Sequence, residues 1–355
     1  IIHPQSLQRI ELLSYLATIA YMILLPYLGL LLSSTLLSCM FNARGKKSKN
    51  SLYIKLSNDL ITLPTFNVFA SLGLVLFSLL SLMFTYAQIV QSSSQLVFDN
   101  LFYLIFLVVP AIFLIYVYKD SFELGDIAKL VSKTKDEVLN KEDEFRIYGF
   151  KTIKLLTNSS RIAFYLLLIS SYVLIAGISL ISDSSRWESA VSLSDMLWNS
   201  STIVSFLYFF SVSLALTSVV ALYKYFKPGS YHETSDRKYS DMIKRFFLNT
   251  AMVFTLVQPL IYALDLMSTP KVAISNSLFA VSILIMLVLV ILASLLYQMI
   301  KENEMKYRGY VLFLFIGLFA LLSIKLQVAF NTSAQLQVKE VLKSYEVQLE
   351  KLSVK

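Results

Sequence analysis

The sequence predicts an all-α polytopic membrane protein, a bundle of about eight transmembrane helices with both termini on the side away from the cytoplasm. Apolar residues make up 56% of the 355 residues and charged residues 15%, and the mean hydropathy is +0.66, outside the range of soluble globular domains. The apolar residues fall in blocks of about 20 or more, the length that a helix needs to cross a bilayer. Successive loops are alternately rich and poor in Lys and Arg, which predicts how the protein is oriented in the membrane.

Eight apolar blocks are predicted to form the spans of a transmembrane domain over residues 1–330. The blocks lie near residues 11–41, 66–90, 99–118, 162–182, 200–223, 246–264, 273–299 and 309–330. Pro26, Pro110 and Pro259 fall inside three of these blocks. We expect each proline to kink its helix, because no matched pair of interrupted helices, as transporters use for binding, is present in the two halves.

The connections between the predicted spans differ in basic residues. The first, third, fifth and seventh connections are rich in Lys and Arg, whereas the fourth carries only Arg186 and the sixth only Lys271. Basic loops remain in the cytoplasm, so a bacterial inner membrane protein with periplasmic termini is predicted. The net charge of +8 then reflects membrane orientation, and nucleic acid is not an expected partner.

Three segments outside the spans have apolar residues at helical spacing. Residues 51–63 are predicted to form an interfacial helix closed by Pro64, and residues 119–161 two short helices on the membrane surface. A solvated connector is the favoured interpretation of both segments. Residues 331–355 are predicted to form an outward-facing amphipathic helix, or a connector to a part of the protein beyond this sequence.

The chain offers few residues for metal or acid–base chemistry. It contains two histidines, His3 and His232, predicted on opposite sides of the membrane, and one cysteine, Cys39. No Cys-x-x-Cys-His haem attachment, phosphate loop or nucleophile motif is present. We therefore predict no catalytic residues, no metal ligands and no cofactor held by the chain alone, apart from the quinone considered below.

Ionisable residues in or beside the spans are the candidate functional residues, because a charge in hydrocarbon is costly. Lys325 lies in the last span, near its outer boundary, where its side chain can snorkel to the interface. Snorkelling is favoured here over a buried ion pair. Asp265 and Lys271 flank a tight connection that contains Pro270. Both a structural turn and a polar site on the outer face fit these two residues.

Two stretches resemble subunit I of the cytochrome bd quinol oxidases. The first, Tyr21-Met-Ile-Leu-Leu-Pro-Tyr-Leu-Gly, is similar to the opening helix of that family, where a haem-ligand histidine aligns with about Tyr21. The second, from Asp265 to Asn276, is similar to the Gly-Asp and Gln-Pro-x-Lys-x-Ala-Ala-x-Glu motif of the quinol-oxidising face. Pro270 and Lys271 match that motif, and Asn276 stands at its acidic position. The fifth span likewise lacks the histidine of the family.

The resemblance implies two four-helix bundles and a quinone-facing edge at Asp265, Lys271 and Asn276, without the haem ligands of a working oxidase. We therefore expect a subunit that anchors a respiratory or other electron-transfer complex in the lipid bilayer and contacts quinone. Haem c would belong to a periplasmic c-type cytochrome, either a partner or a further domain. Two alternative functions remain open. The first is a structural accessory subunit that packs on the other membrane subunits of a larger complex. The second is a transporter or permease, which needs a polar cavity near the membrane midplane.

Overall fold

A computed structural model describes residues 7–89, 94–133, 142–187, 193–227 and 237–353, and within these ranges the chain forms ten α-helices and no strand. The helices are α1 (Leu7–Ser48), α2 (Ser51–Ile61), α3 (Val68–Ile89), α4 (Ser94–Lys133), α5 (Glu142–Ile181), α6 (Leu193–Leu197), α7 (Ser200–Tyr225), α8 (Arg237–Met267), α9 (Asn276–Glu302) and α10 (Arg308–Ser353). All except α2 and α6 are long and apolar enough to cross a membrane. The prediction of an all-α protein with eight membrane-spanning helices is confirmed.

The eight long helices coincide with the eight predicted blocks, and most continue past them. Helix α8, for example, begins at Arg237, well before the predicted start of its span at residue 246. Polar residues continue a helix into the interfacial layer, so hydropathy locates the centre of a span better than its ends. The three prolines all lie inside continuous helices, Pro26 in α1, Pro110 in α4 and Pro259 in α8.

Contacts between the long helices fall into two groups of four. In the first group α1 packs on α3, α3 on α4, α4 on α5 and α5 on α1; in the second, α7 packs on α8, α8 on α9, α9 on α10 and α10 on α7. Helix α1 also packs on α7 and α10, and α5 packs on α7, which joins the two groups. This arrangement agrees with the two four-helix bundles that the resemblance implied. The side with the α3–α4, α5–α7 and α8–α9 connections is called the outer side below, after its predicted orientation.

Close packing between the two groups depends on Gly29 of α1. A Cβ atom at this position would lie 2.5 Å from the hydroxyl oxygen of Ser213 on α7 and 3.2 Å from its Cβ. Small residues allow membrane helices to approach closely, where dispersion contacts replace the hydrophobic effect as the main attraction. The α1–α7 contact therefore requires that residue 29 has no side chain.

Helix α2 is packed into the protein, so the favoured interpretation of residues 51–63 as a solvated connector was wrong. Its buried side chains are Leu56, Ser57, Leu60 and Ile61. The Ser57 hydroxyl donates to the Ser38 carbonyl at 2.8 Å and lies 3.0 Å from the Tyr118 hydroxyl. The apolar stripe that suggested an interfacial helix thus contacts α1 and α4 rather than solvent alone.

The segment 119–161 does not form separate surface helices. Helix α4 continues from its span to Lys133, α5 begins at Glu142, and residues 134–141 lie outside the described residues. No proline interrupts either extension, so the helical backbone propagates from the spans. The predicted tail helix is likewise continuous with a span, because α10 extends from the last span to Ser353 as one helix.

Candidate functional site

Asp265 and Lys325 form a buried ion pair near the outer end of the second four-helix group. Asp265 lies in the last turn of α8 with 7% of its surface exposed, and Lys325 lies in α10 with 8% exposed. The ammonium group of Lys325 contacts the Oδ2 atom of Asp265. The interpretation of Lys325 as a snorkelling side chain was therefore wrong. The opposite charge of Asp265 on α8 stabilises the ammonium group of Lys325 inside the protein, so this group does not need to reach the interface.

Further side chains surround the two charged groups. The Ser205 hydroxyl on α7 donates to Oδ1 of Asp265 at 2.5 Å. The ammonium nitrogen of Lys325 lies 4.7 Å from the centroid of the Tyr262 ring, a cation–π distance. The Tyr262 hydroxyl in turn donates to the Ser282 hydroxyl of α9 at 3.0 Å. Each helix of the second group therefore contributes a side chain to this cluster.

The sequence of α8 places a series of polar side chains on its buried face. Thr255, Gln258, Tyr262 and Asp265 follow one another at steps of three and four residues, so they share one side of the helix. All four residues are buried. The end of α8 is held by the hydroxyls of Ser268 and Thr269, which donate to the Asp265 carbonyl at 2.9 and 3.0 Å. The backbone that carries Asp265 is thereby fixed.

An open cleft lies between the two four-helix groups, and the ion pair lines it. The cleft has an empty volume of about 830 Å³ including its mouth, and α1, α5, α7, α8 and α10 all contribute to its wall. Most of the wall is apolar; its polar groups are Ser179, Ser182, Ser201, Ser205, Tyr208, Thr269, Asp265 and Lys325. Apolar walls with a few convergent polar groups are typical of sites for small amphipathic molecules.

The three residues of the predicted quinone-facing edge separate in the structure. Asp265 lines the cleft, and so do the neighbouring Thr269 and Pro270. Lys271, in a short 3-10 helix, and Asn276, the first residue of α9, are exposed and do not line the cleft. The lysine that meets Asp265 is Lys325, 60 residues along the chain. One sequence signal was available: α8 and α10 each carry an ionisable residue of opposite charge near the same end of a span.

The other sequence candidates lie away from the cleft or outside the described residues. The Tyr21 hydroxyl is 2.7 Å from the Tyr86 hydroxyl in the first four-helix group, so its oxygen is paired with another phenol. Cys39 is half-buried in α1. His3 and His232 lie outside the described residues. Among the residues that the structure describes, no group of three or more His, Cys, Asp and Glu side chains could hold a metal ion.

Comparison with known proteins adds nothing to the resemblance to the cytochrome bd quinol oxidases. No protein-family model matches this chain, and no curated protein matches it. The resemblance therefore stays a prediction, and the fold and the cleft are the observations on which a function can be proposed.

Proposed function

We propose that this protein is the membrane-anchoring subunit of an electron-transfer complex and that it binds a quinone in the cleft between its two four-helix groups. The observation that carries the proposal is the Asp265–Lys325 ion pair in the wall of an otherwise largely apolar cleft. The proposal moves the predicted quinone contact from the exposed Lys271 and Asn276 to Lys325, with Asp265 retained.

The chemistry of a quinone matches the cleft in two respects. Its ring and isoprenoid tail are apolar, which suits walls formed by side chains such as Phe209, Leu322 and Leu326. Its carbonyl oxygens need hydrogen-bond donors, and the Lys325 ammonium is a donor at the wall, whereas the Ser205 hydroxyl already donates its proton to Asp265. Oxidation of a bound quinol releases protons, and the Asp265 carboxylate can accept a proton at this wall. The electrons would come from or go to the haem of a periplasmic c-type cytochrome, a partner that the proposal requires.

Quinone binding by the full-length protein in lipid nanodiscs tests this proposal. Titration with decylubiquinone and with a short-chain menaquinone analogue gives a Kd for each. We expect Lys325→Gln to weaken binding about tenfold, the effect of losing one charged hydrogen bond of about 1.4 kcal/mol. Lys271→Gln, at an exposed lysine on the same side, serves as the matched control and should bind as the unchanged protein does. Equal binding by all three proteins would refute the cleft as the quinone site.

The transporter alternative gains one observation from the structure. The buried face of α8 carries Thr255 and Gln258 deeper in the membrane than Asp265, which supplies polar groups where the sequence suggested almost only apolar ones. Solute uptake by proteoliposomes that contain this chain alone would favour transport. Absence of both uptake and quinone binding would leave a purely structural accessory subunit as the function.

A further inference from the structure

Gln258 is a fully buried amide whose hydrogen-bonding groups have no protein partner. Neither its Oε1 nor its Nε2 atom has a hydrogen bond, and its exposed fraction is 0%. One turn earlier on the same face of α8, the hydroxyl of Thr255 is also fully buried and also without a partner. Buried polar groups are nearly always hydrogen-bonded, because an unpaired one loses its hydration without compensation. Two such side chains together indicate that something polar lies between them.

Pro259 removes a backbone hydrogen-bond donor at the same place. A proline has no backbone N–H, so the carbonyl of Thr255 lacks the hydrogen bond that residue 259 would donate in a regular helix. In membrane helices such freed carbonyls are satisfied by side chains or by ordered water. The carbonyl and hydroxyl of Thr255 and the amide of Gln258 thus form a compact set of acceptors and donors. A buried water needs about two to four polar partners, and this set supplies them.

The position of this set relates it to the cleft. Gln258 lies seven residues before Asp265, about 10 Å along the helix axis at about 1.5 Å per residue. The Tyr208 hydroxyl of α7 is also buried, has no hydrogen-bond partner and belongs to a residue that lines the cleft. Toward the other side of the membrane the buried face of α8 becomes apolar, with Ala251, Phe247 and Ile243. The polar side chains on this face of α8 therefore lead from the cleft into the bundle as far as Thr255.

We propose that ordered water binds to Thr255 and Gln258 and connects, past the Tyr208 hydroxyl, with the outer cleft. The second four-helix group then contains a hydrated branch that ends near the membrane midplane, with Asp265 at its mouth. Such a branch gives protons a route from the outer side to the interior of this group. The inference goes beyond the proposed function, because the water site requires no quinone in the cleft.

Cysteine accessibility tests the inference, since methanethiosulfonate reagents modify the thiolate, which forms only where water is present. Cys39 is the chain's one cysteine, so the full-length Cys39→Ala protein in nanodiscs is a thiol-free background. Thr255→Cys keeps Gln258 intact, and Gln258→Cys is the second variant. Leu289→Cys, at a buried apolar position of α9, is the matched control, and Ser201→Cys in the cleft wall is the accessible reference.

We expect the small reagent aminoethyl methanethiosulfonate to modify the Thr255→Cys and Gln258→Cys proteins at least about tenfold faster than the Leu289→Cys protein, because only the former thiols contact water. Modification of both variants no faster than of Leu289→Cys, with Ser201→Cys reactive in the same preparation, would overturn the inference. A high-resolution map of the Cys39→Ala protein without density beside Gln258 would overturn it as well. Quinone titration of the same preparations reports separately on the cleft, so failure of one proposal is distinguishable from failure of the other.

Discussion

Removal of one member of the Asp265–Lys325 pair should destabilise the protein far more than removal of both. The two side chains are only about one-tenth exposed, with values of 9% and 10%, so solvent screens their attraction little. Asp265→Asn leaves a buried ammonium group, and Lys325→Gln leaves a buried carboxylate. Each single substitution should lower the free energy of unfolding by about 3 kcal/mol, the lower end of the range for a broken buried pair. We take the lower end because Ser205 and the Tyr262 ring still contact the remaining charge.

The double variant Asp265→Asn/Lys325→Gln should cost only about 1 kcal/mol, because no unpaired charge remains. The two substitutions would then be non-additive by about 5 kcal/mol, well outside the error of a double-mutant cycle. Steric trapping of unfolding in bicelles measures each free energy. Lys271→Gln is the matched control for loss of an exposed positive charge, and it should change stability by less than about 0.5 kcal/mol.

Additive effects in this cycle would refute the reasoning. If Lys325 snorkels to the interface, Asp265→Asn removes no partner from it, and both single variants lose little stability. The double variant would then equal the sum of the singles. Since the two interpretations differ in the size of the coupling, the cycle separates them even if all three variants bind quinone poorly.

Three further substitutions test the packing that holds the site. Gly29→Ala should destabilise the protein by about 1–3 kcal/mol, since the added methyl overlaps the α1–α7 contact. Gly317→Ala, with open space around its Cβ position, should be neutral or slightly stabilising. Thermal unfolding compares the stability of the two variants. Gly177→Ala should cost about 1–2 kcal/mol, because its Cβ would lie 2.6 Å from the side-chain nitrogen of Asn100, which donates to the Val173 carbonyl. A variant as stable as the unchanged protein would show that the Asn100 side chain can move aside at no cost. Tyr118→Phe should cost about 1–2 kcal/mol by removing the hydroxyl shared by buried serines of α1 and α2, and unchanged unfolding would contradict that role.

The polar residues show how much of the site was available from the sequence. Asp265 and Lys325 stood out as ionisable residues in or beside spans, which is a property of each residue alone. The sequence could not predict that these two residues pair, because their contact depends on the rotation of α8 and α10 about their axes and on the packing of those helices against α7. The sequence grouped Asp265 with Lys271 instead, because the two flank one tight connection and match the motif that the resemblance rests on. A tight turn separates these two residues, however, and Lys271 does not line the cleft.

The same reasoning applies to the buried face of α8. The spacing of Thr255, Gln258, Tyr262 and Asp265 predicts a shared face, but spacing does not say whether that face contacts lipid or protein. In the tertiary structure it contacts protein, and the unpaired groups of Gln258 become meaningful for that reason. On a lipid-facing surface an amide could reach toward the interface; enclosed between helices, it needs a partner there.

The sequence alone was sufficient to predict a membrane bundle of eight helices, because hydrocarbon accepts only long apolar segments whose backbone groups are hydrogen-bonded within the segment. This requirement is local to each segment. The sequence also carries the loop asymmetry that predicts both termini outside. Three features became known from the packing of the helices: the burial of α2, the cleft between the two groups of spans, and the contact between Asp265 and Lys325. These features depend on which helix faces are in contact, and close packing between distant segments selects those faces.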